Sequence, residues 1–158
     1  MNIVIRKAVP EDLPAIKAGL IDSWTEHARK EPDLLDEEDM RNVNVESYYK
    51  DAFESDESII LVAEDGNNFA GIIRADISEI PHFYKHNKIL YLDDVYVSPK
   101  YRGHGIVGKL ISEVETFAKE RGINRIQARV YTYNSAMQKA LTRAGYHAPH
   151  STWDKVIQ

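Results

Sequence analysis

The sequence predicts an α/β (α+β) fold: a mixed central sheet of six to seven strands with about four helices. Three observations predict it. Short apolar runs of strand character alternate along the chain with longer segments of helical periodicity. A strong hairpin signal, Asp65-Gly66-Asn67-Asn68, separates two apolar runs in the first half. In the second half, residues 89–131 read strand–helix–strand, so those two strands should be parallel neighbours with a right-handed crossover.

Each element has a local cause. Residues 2–8 alternate and form a strand. Pro10-Glu11-Asp12 opens a helix with acids in its first turn, where the helix dipole favours them. Leu13, Ile16, Leu20 and Trp24 give its apolar face, to about residue 28. A second helix is expected over 37–54, with Met40, Val43, Tyr48 and Phe53 partly buried. Ser58–Glu64 and Phe69–Ser78 are the hairpin strands, and Ile89–Val97 is a further strand ended by Ser98-Pro99. A helix follows over 105–121, with Leu110, Ile111, Val114 and Phe117 inward and Gly122 as its stop. Residues 123–131 form a strand and 135–144 a helix stopped by Gly145, and a last strand is expected near Trp153–Ile157.

Composition narrows the function. The 158 residues suit one domain over 1–158, with 43% hydrophobic residues and enough length for a sizeable core. No apolar run approaches the ~18 residues of a membrane span, and the N-terminus turns polar within six residues. No membrane association and a cytoplasmic location are therefore expected. The absence of cysteine excludes disulfides, thiolate catalysis and cysteine-based zinc sites. A net charge of −5 speaks against nucleic acid as a partner. The charge is bipolar: residues 1–80 carry 8 Lys and Arg against 19 Asp and Glu, and residues 81–158 carry 12 against 6. Such a chain can hold an anion on its second half and a cation on its first; solvated helix faces give the same pattern.

The stretch YRGHGIVGKL at 101–110 is the most informative. Gly103, Gly105 and Gly108 match G-x-G-x-x-G, but a dinucleotide fold wants the first glycine directly off its first strand and an acid closing the next. Here Ser98–Arg102 intervenes, and the next strand ends Arg129-Val130-Tyr131. The physical content stands without that label. Small residues let a ligand approach the backbone, a helix start leaves N–H groups unpaired, and Arg102 adds a cation. A diphosphate fits such a turn; a tight turn without a ligand is the alternative.

Val97-Ser98-Pro99-Lys100-Tyr101-Arg102-Gly103-His104-Gly105-Ile106 resembles the signature of the GNAT superfamily of N-acetyltransferases. Asn134, followed eleven residues later by Gly145-Tyr146, matches a second element, and the element order matches over essentially the whole chain. The resemblance implies acetyl-CoA as cosubstrate and a primary amine as acceptor, a small amine or polyamine being favoured. It also implies a V-shaped splay between strands 89–97 and 123–131 that admits the pantetheine arm. Val95, Tyr96 and Val97 would form the pairing edge. The N–H groups of Arg102, Gly103, His104, Gly105, Ile106, Val107 and Gly108 would hold the diphosphate, and Asn134 would meet the arm from the other side. Two positions depart from the family pattern. Val107 stands where a small residue is usual, and Leu141 stands where a tyrosine often protonates the leaving thiolate.

Aminolysis of a thioester needs a neutral amine, and with an alkylammonium pKa near ~10.4 only about one molecule in a thousand is neutral at pH 7. Paired carboxylates are unusual in a strand, so Asp93 and Asp94 draw attention; alternation would place them on opposite faces. The resemblance puts an acid that works through water at position 93. Asp93 is the candidate base, with Asp94 in reserve, and capping or solvation is the plain alternative. The Val95 N–H is the candidate oxyanion donor if the strand bulges there. Tyr133 is the candidate acid, with solvent as the alternative. No metal site is expected, because His82/His86 and His147/His150 lack a carboxylate at ligand spacing. Glu31, Asp33, Asp36, Glu37, Glu38 and Asp39 could draw a polycation, with a solvated acidic helix start as the plain alternative. Trp24, Tyr84 and Tyr133 could wall the acceptor pocket, with core packing as the plainer use for each. A protein acetyltransferase, a non-catalytic acyl-CoA-binding module and a homodimer stay open.

Overall fold

A computed structural model describes residues 1–157. Five strands form one mixed sheet in the order β1 (Ile3–Lys7), β2 (Ser58–Asp65), β3 (Asn68–Glu79), β4 (Lys88–Val97), β5 (Ile126–Ala128). The first four pair antiparallel, and β4 pairs with β5 in parallel. Five α-helices cover the sheet: α1 (Leu13–Lys30), α2 (Glu37–Arg41), α3 (Val45–Glu54), α4 (Ile106–Glu120) and α5 (Ser135–Arg143).

Apolar side chains bury both faces of the sheet. Ile60, Val62 and Ile72 meet Ile16 and Leu20 of α1 and Tyr49 of α3 on one face. Leu61, Ile73 and Leu90 meet Leu110, Ile111 and Val114 of α4 on the other. The unbroken apolar run of β2 follows from this, since both faces need apolar residues. The hairpin turns at Gly66-Asn67 with Gly66 at φ +61°. Close approach fixes Gly71 as glycine, because a Cβ there would lie 2.6 Å from the Tyr96 carbonyl oxygen.

Four expectations need correction. The sheet has five strands among the described residues, not six or seven. The segment near Trp153–Ile157 is not a strand: Trp153 is 91% exposed, and the three-residue β5 supplies no edge long enough to pair it. The strand expected over 123–131 contracts to Ile126–Ala128, because its pairing with β4 stops at Leu92–Ala128, just before β4 bulges. The helix expected over 37–54 is two, since Asn44 accepts the Ser47 N–H and caps α3. At the start of α1, Pro10–Asp12 is a 3₁₀ turn, where Asp12 accepts the Val9 N–H and both terminal Arg6 nitrogens.

Candidate active site

The site begins where β4 and β5 part. Beyond Leu92, β4 continues to Val97 while β5 has ended, so the edge formed by Val95, Tyr96 and Val97 has no strand on that side. This is the expected splay.

A bulge sits at its root. Arg74 of β3 pairs with Asp94 and Ala75 with Leu92, so Asp93 is the extra residue of β4. The bulge lies at Asp93 and not at Val95. It also overturns the alternation argument. Leu90 and Leu92 face the α4 layer, whereas Asp94 and Tyr96 face α1 and α3. Asp93 and Asp94 both meet side chains of α3: the Tyr48 hydroxyl donates to Asp93 Oδ2, and the Tyr49 hydroxyl donates to Asp94 Oδ2 at 3.0 Å.

The two carboxylates differ in environment. Asp94 is 6% exposed and also accepts the Trp24 Nε1–H of α1 at 3.1 Å. Burial, reinforced by the neighbouring Asp93 charge, pushes Asp94 up to about 6. Asp93 is exposed, and its Oδ2 lies 3.9 Å from Arg74 Nε, which leaves Oδ1 to accept from a ligand or water. Arg74 lies over the rings of Tyr48 and Tyr49, 4.5 and 5.0 Å from their centroids, and bonds Asp76 at 2.9 Å. This guanidinium braces the tyrosines that hold the carboxylates.

The glycine turn stands at the far end of β4. Gly103 and Gly105 have φ of +82° and +74°, the left-handed region that disfavours other residues. A Cβ at Gly103, Gly105 or Gly108 would meet open space, so the turn faces outward. Gly105 caps α4 with no side chain to satisfy the first N–H groups of the helix. Val107 packs against the apolar cluster beneath α4, so its side chain points inward and leaves the outer surface to the backbone. Ile106 is buried, while His104 is exposed. Arg102 turns back to donate to the Val97 carbonyl at 3.0 Å and lies 4.0 Å from Glu26 of α1. An uncapped helix start behind an outward-facing glycine turn, next to an arginine, suits a diphosphate.

The other wall is the segment after β5. Asn134 caps α5 by accepting the Met137 N–H at 3.1 Å, which leaves its amide NH₂ to donate. Leu141 is buried in the core under α5 and offers no proton. The Tyr133 hydroxyl is hydrogen-bonded to Nδ1 of His27 on α1. Burial, with Tyr131, Glu31 and Glu26 nearby, pushes Tyr133 up to about 12, and burial lowers His27 below its ordinary range. His27, Tyr48, Tyr49 and Arg74 are site residues that sequence reasoning missed. The only local signal was the spacing of Trp24 and His27, which puts both on one helix face.

Other expectations come out differently. Tyr84 lies in the β3–β4 connection, against Arg125 at the opposite end of β4, and walls no acceptor pocket. Two of the acids near α2 are engaged: Asp36 caps it, and Glu37 pairs with Arg29 and Arg41. Among the described residues, no group of three His, Asp or Glu is placed to hold a metal ion, and no helix is long and apolar enough to cross a membrane.

The Acetyltransferase (GNAT) family model matches residues 21–146. An uncharacterised N-acetyltransferase of Bacillus subtilis, YhfO, is 28% identical over 144 residues, covering 90% of this chain and 88% of that protein. Among solved structures, a tetramutant of BH1408 from Bacillus halodurans superposes with a TM-score of 0.85 at 18% identity, covering 98% of this chain and 99% of that one. The aminoglycoside acetyltransferase AAC(6')-Iy, solved with a bisubstrate analogue of CoA and acetylneamine, superposes at 0.74 with 14% identity, covering 100% and 99%. At such identities the two structures show a shared fold.

Proposed function

The chain belongs to the GNAT family of acetyltransferases, and from that premise we propose that it moves the acetyl group of acetyl-CoA to a primary amine. A small amine or polyamine is the favoured acceptor, and it attacks directly while both substrates are bound. The observation that carries this reading is a juxtaposition along one strand. Asp93 and Asp94 stand at the root of an open β4 edge, and an outward-facing glycine turn stands at its tip.

Acetyl-CoA supplies an activated acyl carbon on a thiol leaving group. The backbone of residues 102–108 holds its diphosphate, with Arg102 at the rim. The edge of Val95, Tyr96 and Val97 pairs with the pantetheine amides, and Asn134 donates from across the splay.

Asp93 accepts the amine's proton at Oδ1, directly or through water, while Tyr48 fixes its other oxygen. Asp94 links α1 and α3 to β4 and adds negative charge near the incoming cation. Tyr133 holds the proton that the sulfur needs, in place of the acid absent at Leu141. Aminoglycoside acetylation by AAC(6')-Iy supports an amine acceptor.

Thiol release tests the reading, with acetyl-CoA offered to spermidine, lysine, neamine and a lysine-containing peptide. Release with one of the small amines is expected, and Asp93→Asn should lower kcat/KM by about 10²-fold or more at pH 7. A peptide as the best substrate would replace the small-amine reading. CoA binding without thiol release would mark an acyl-CoA-binding module. Unchanged kcat/KM in Asp93→Asn across pH 6–9 would remove the base.

A further inference from the structure

We propose that His27 is the positioning partner of Tyr133, donating its Nδ1–H to the phenolic oxygen as the Tyr133 proton passes to the departing sulfur. The role rests on the acetyl-transfer reading above.

The geometry carries it. Trp24 and His27 lie three residues apart on α1, so they share a face. Trp24 reaches Asp94, on the side of the amine. One turn on, His27 reaches across the mouth of the splay to the segment after β5. Its ring lies 4.9 Å from Tyr131 and 5.9 Å from Tyr133, and those two rings stack at 5.4 Å with planes 12° apart. Neither tyrosine belongs to the buried clusters of the core. The imidazole is thus a polar clasp on Tyr133, and it joins the segment carrying the acid to the helix whose Trp24 holds Asp94.

The role requires one tautomer. Burial lowers His27 and so favours the neutral ring, which carries one N–H. If Nδ1 were bare, the Tyr133 hydrogen would be spent on it. With Nδ1–H, the hydroxyl hydrogen is free to face the sulfur. The groups around the pair are Glu26 and Glu31 at the end of α1, Tyr131 from the facing segment, and Arg102 beside Glu26.

When the C–S bond breaks, the sulfur keeps the bonding pair and takes the Tyr133 proton, and Tyr133 becomes a phenolate. His27 stays neutral and donates its Nδ1–H to that anion, a charge-assisted hydrogen bond stronger than the one it makes to the phenol. Solvent then returns a proton to Tyr133 and removes the amine's proton from Asp93, which closes the balance. A phenol held near 12 gains most from such a donor, since a free thiol titrates near ~8.5.

The test uses His27→Phe, His27→Gln, Tyr133→Phe and the His27→Phe/Tyr133→Phe double variant. Thiol release is followed with acetyl-CoA and the best amine of the panel, CoA affinity by calorimetry, and the His27 ring nitrogens by ¹⁵N NMR. His27→Phe should lower kcat by about 10- to 100-fold with CoA affinity unchanged. His27→Gln, which keeps an N–H, should recover part of that loss. In the Tyr133→Phe background, His27→Phe should cost nothing further, and NMR should place the proton on Nδ1. Additive losses, a bare Nδ1, or CoA affinity falling in step with kcat would overturn the role while leaving the acetyl-transfer reading intact. A wild-type protein that binds CoA but acetylates no amine would remove both.

Discussion

Asp94→Asn should make the protein more stable at neutral pH relative to acid, opposite to the usual behaviour of an aspartate in an ion pair. Burial and the charge of Asp93 raise Asp94 from 3.8 to about 6. Between those values the folded state binds more protons than the unfolded chain, so stability falls as pH rises through the window. The shift is about 2 pH units, and at about 1.4 kcal/mol per unit the charged form costs about 3 kcal/mol above pH 6. Asparagine is close to isosteric. Its carbonyl can accept the Trp24 N–H, and its NH₂ can donate to the Tyr49 oxygen, so both partners keep a bond. The assay is urea unfolding of both proteins at intervals from pH 4 to 7. The stability of wild type minus variant should drop by on the order of 3 kcal/mol across that range. A difference that stays flat, or rises with pH, would show that the site accommodates the charge and would refute the reasoning.

Two further substitutions probe the frame of the site. Gly105→Val puts a β-branched residue at φ +74° with open space around its Cβ, so the strain is local to the turn; calorimetry should show CoA affinity reduced by about tenfold or more, and unchanged affinity would mean the turn holds something else. Gly71→Ala drives a Cβ toward the Tyr96 carbonyl and should destabilise by about 1–3 kcal/mol in urea with an unchanged slope, whereas a neutral result would show that β3 and β4 can separate freely there.

The parts that were legible are those whose cause lies within a few residues. Gly66-Asn67 turns a hairpin, Gly122 and Gly145 end helices at φ +66° and +89°, and Gly103 and Gly105 take positive φ in an outward-facing turn ahead of α4. Each follows from backbone freedom at one position. Legibility failed where an outcome depends on a partner. Val156 and Ile157 have strand propensity, but a strand forms only against a free edge, and β5 offers three residues.

The carboxylates mark the boundary most clearly. The sequence by itself determined that two acids stand in an apolar strand just ahead of a glycine turn, and hence the kind of chemistry to look for. Only the tertiary structure decided which way they face, because one extra residue in β4 against β3 reverses the side-chain parity, and that count is a property of the pair of strands. The tertiary structure likewise brought His27 to Tyr133 across 106 positions of chain. Burial, which sets the proton affinities of Asp94, His27 and Tyr133, exists only once the layers have closed over them.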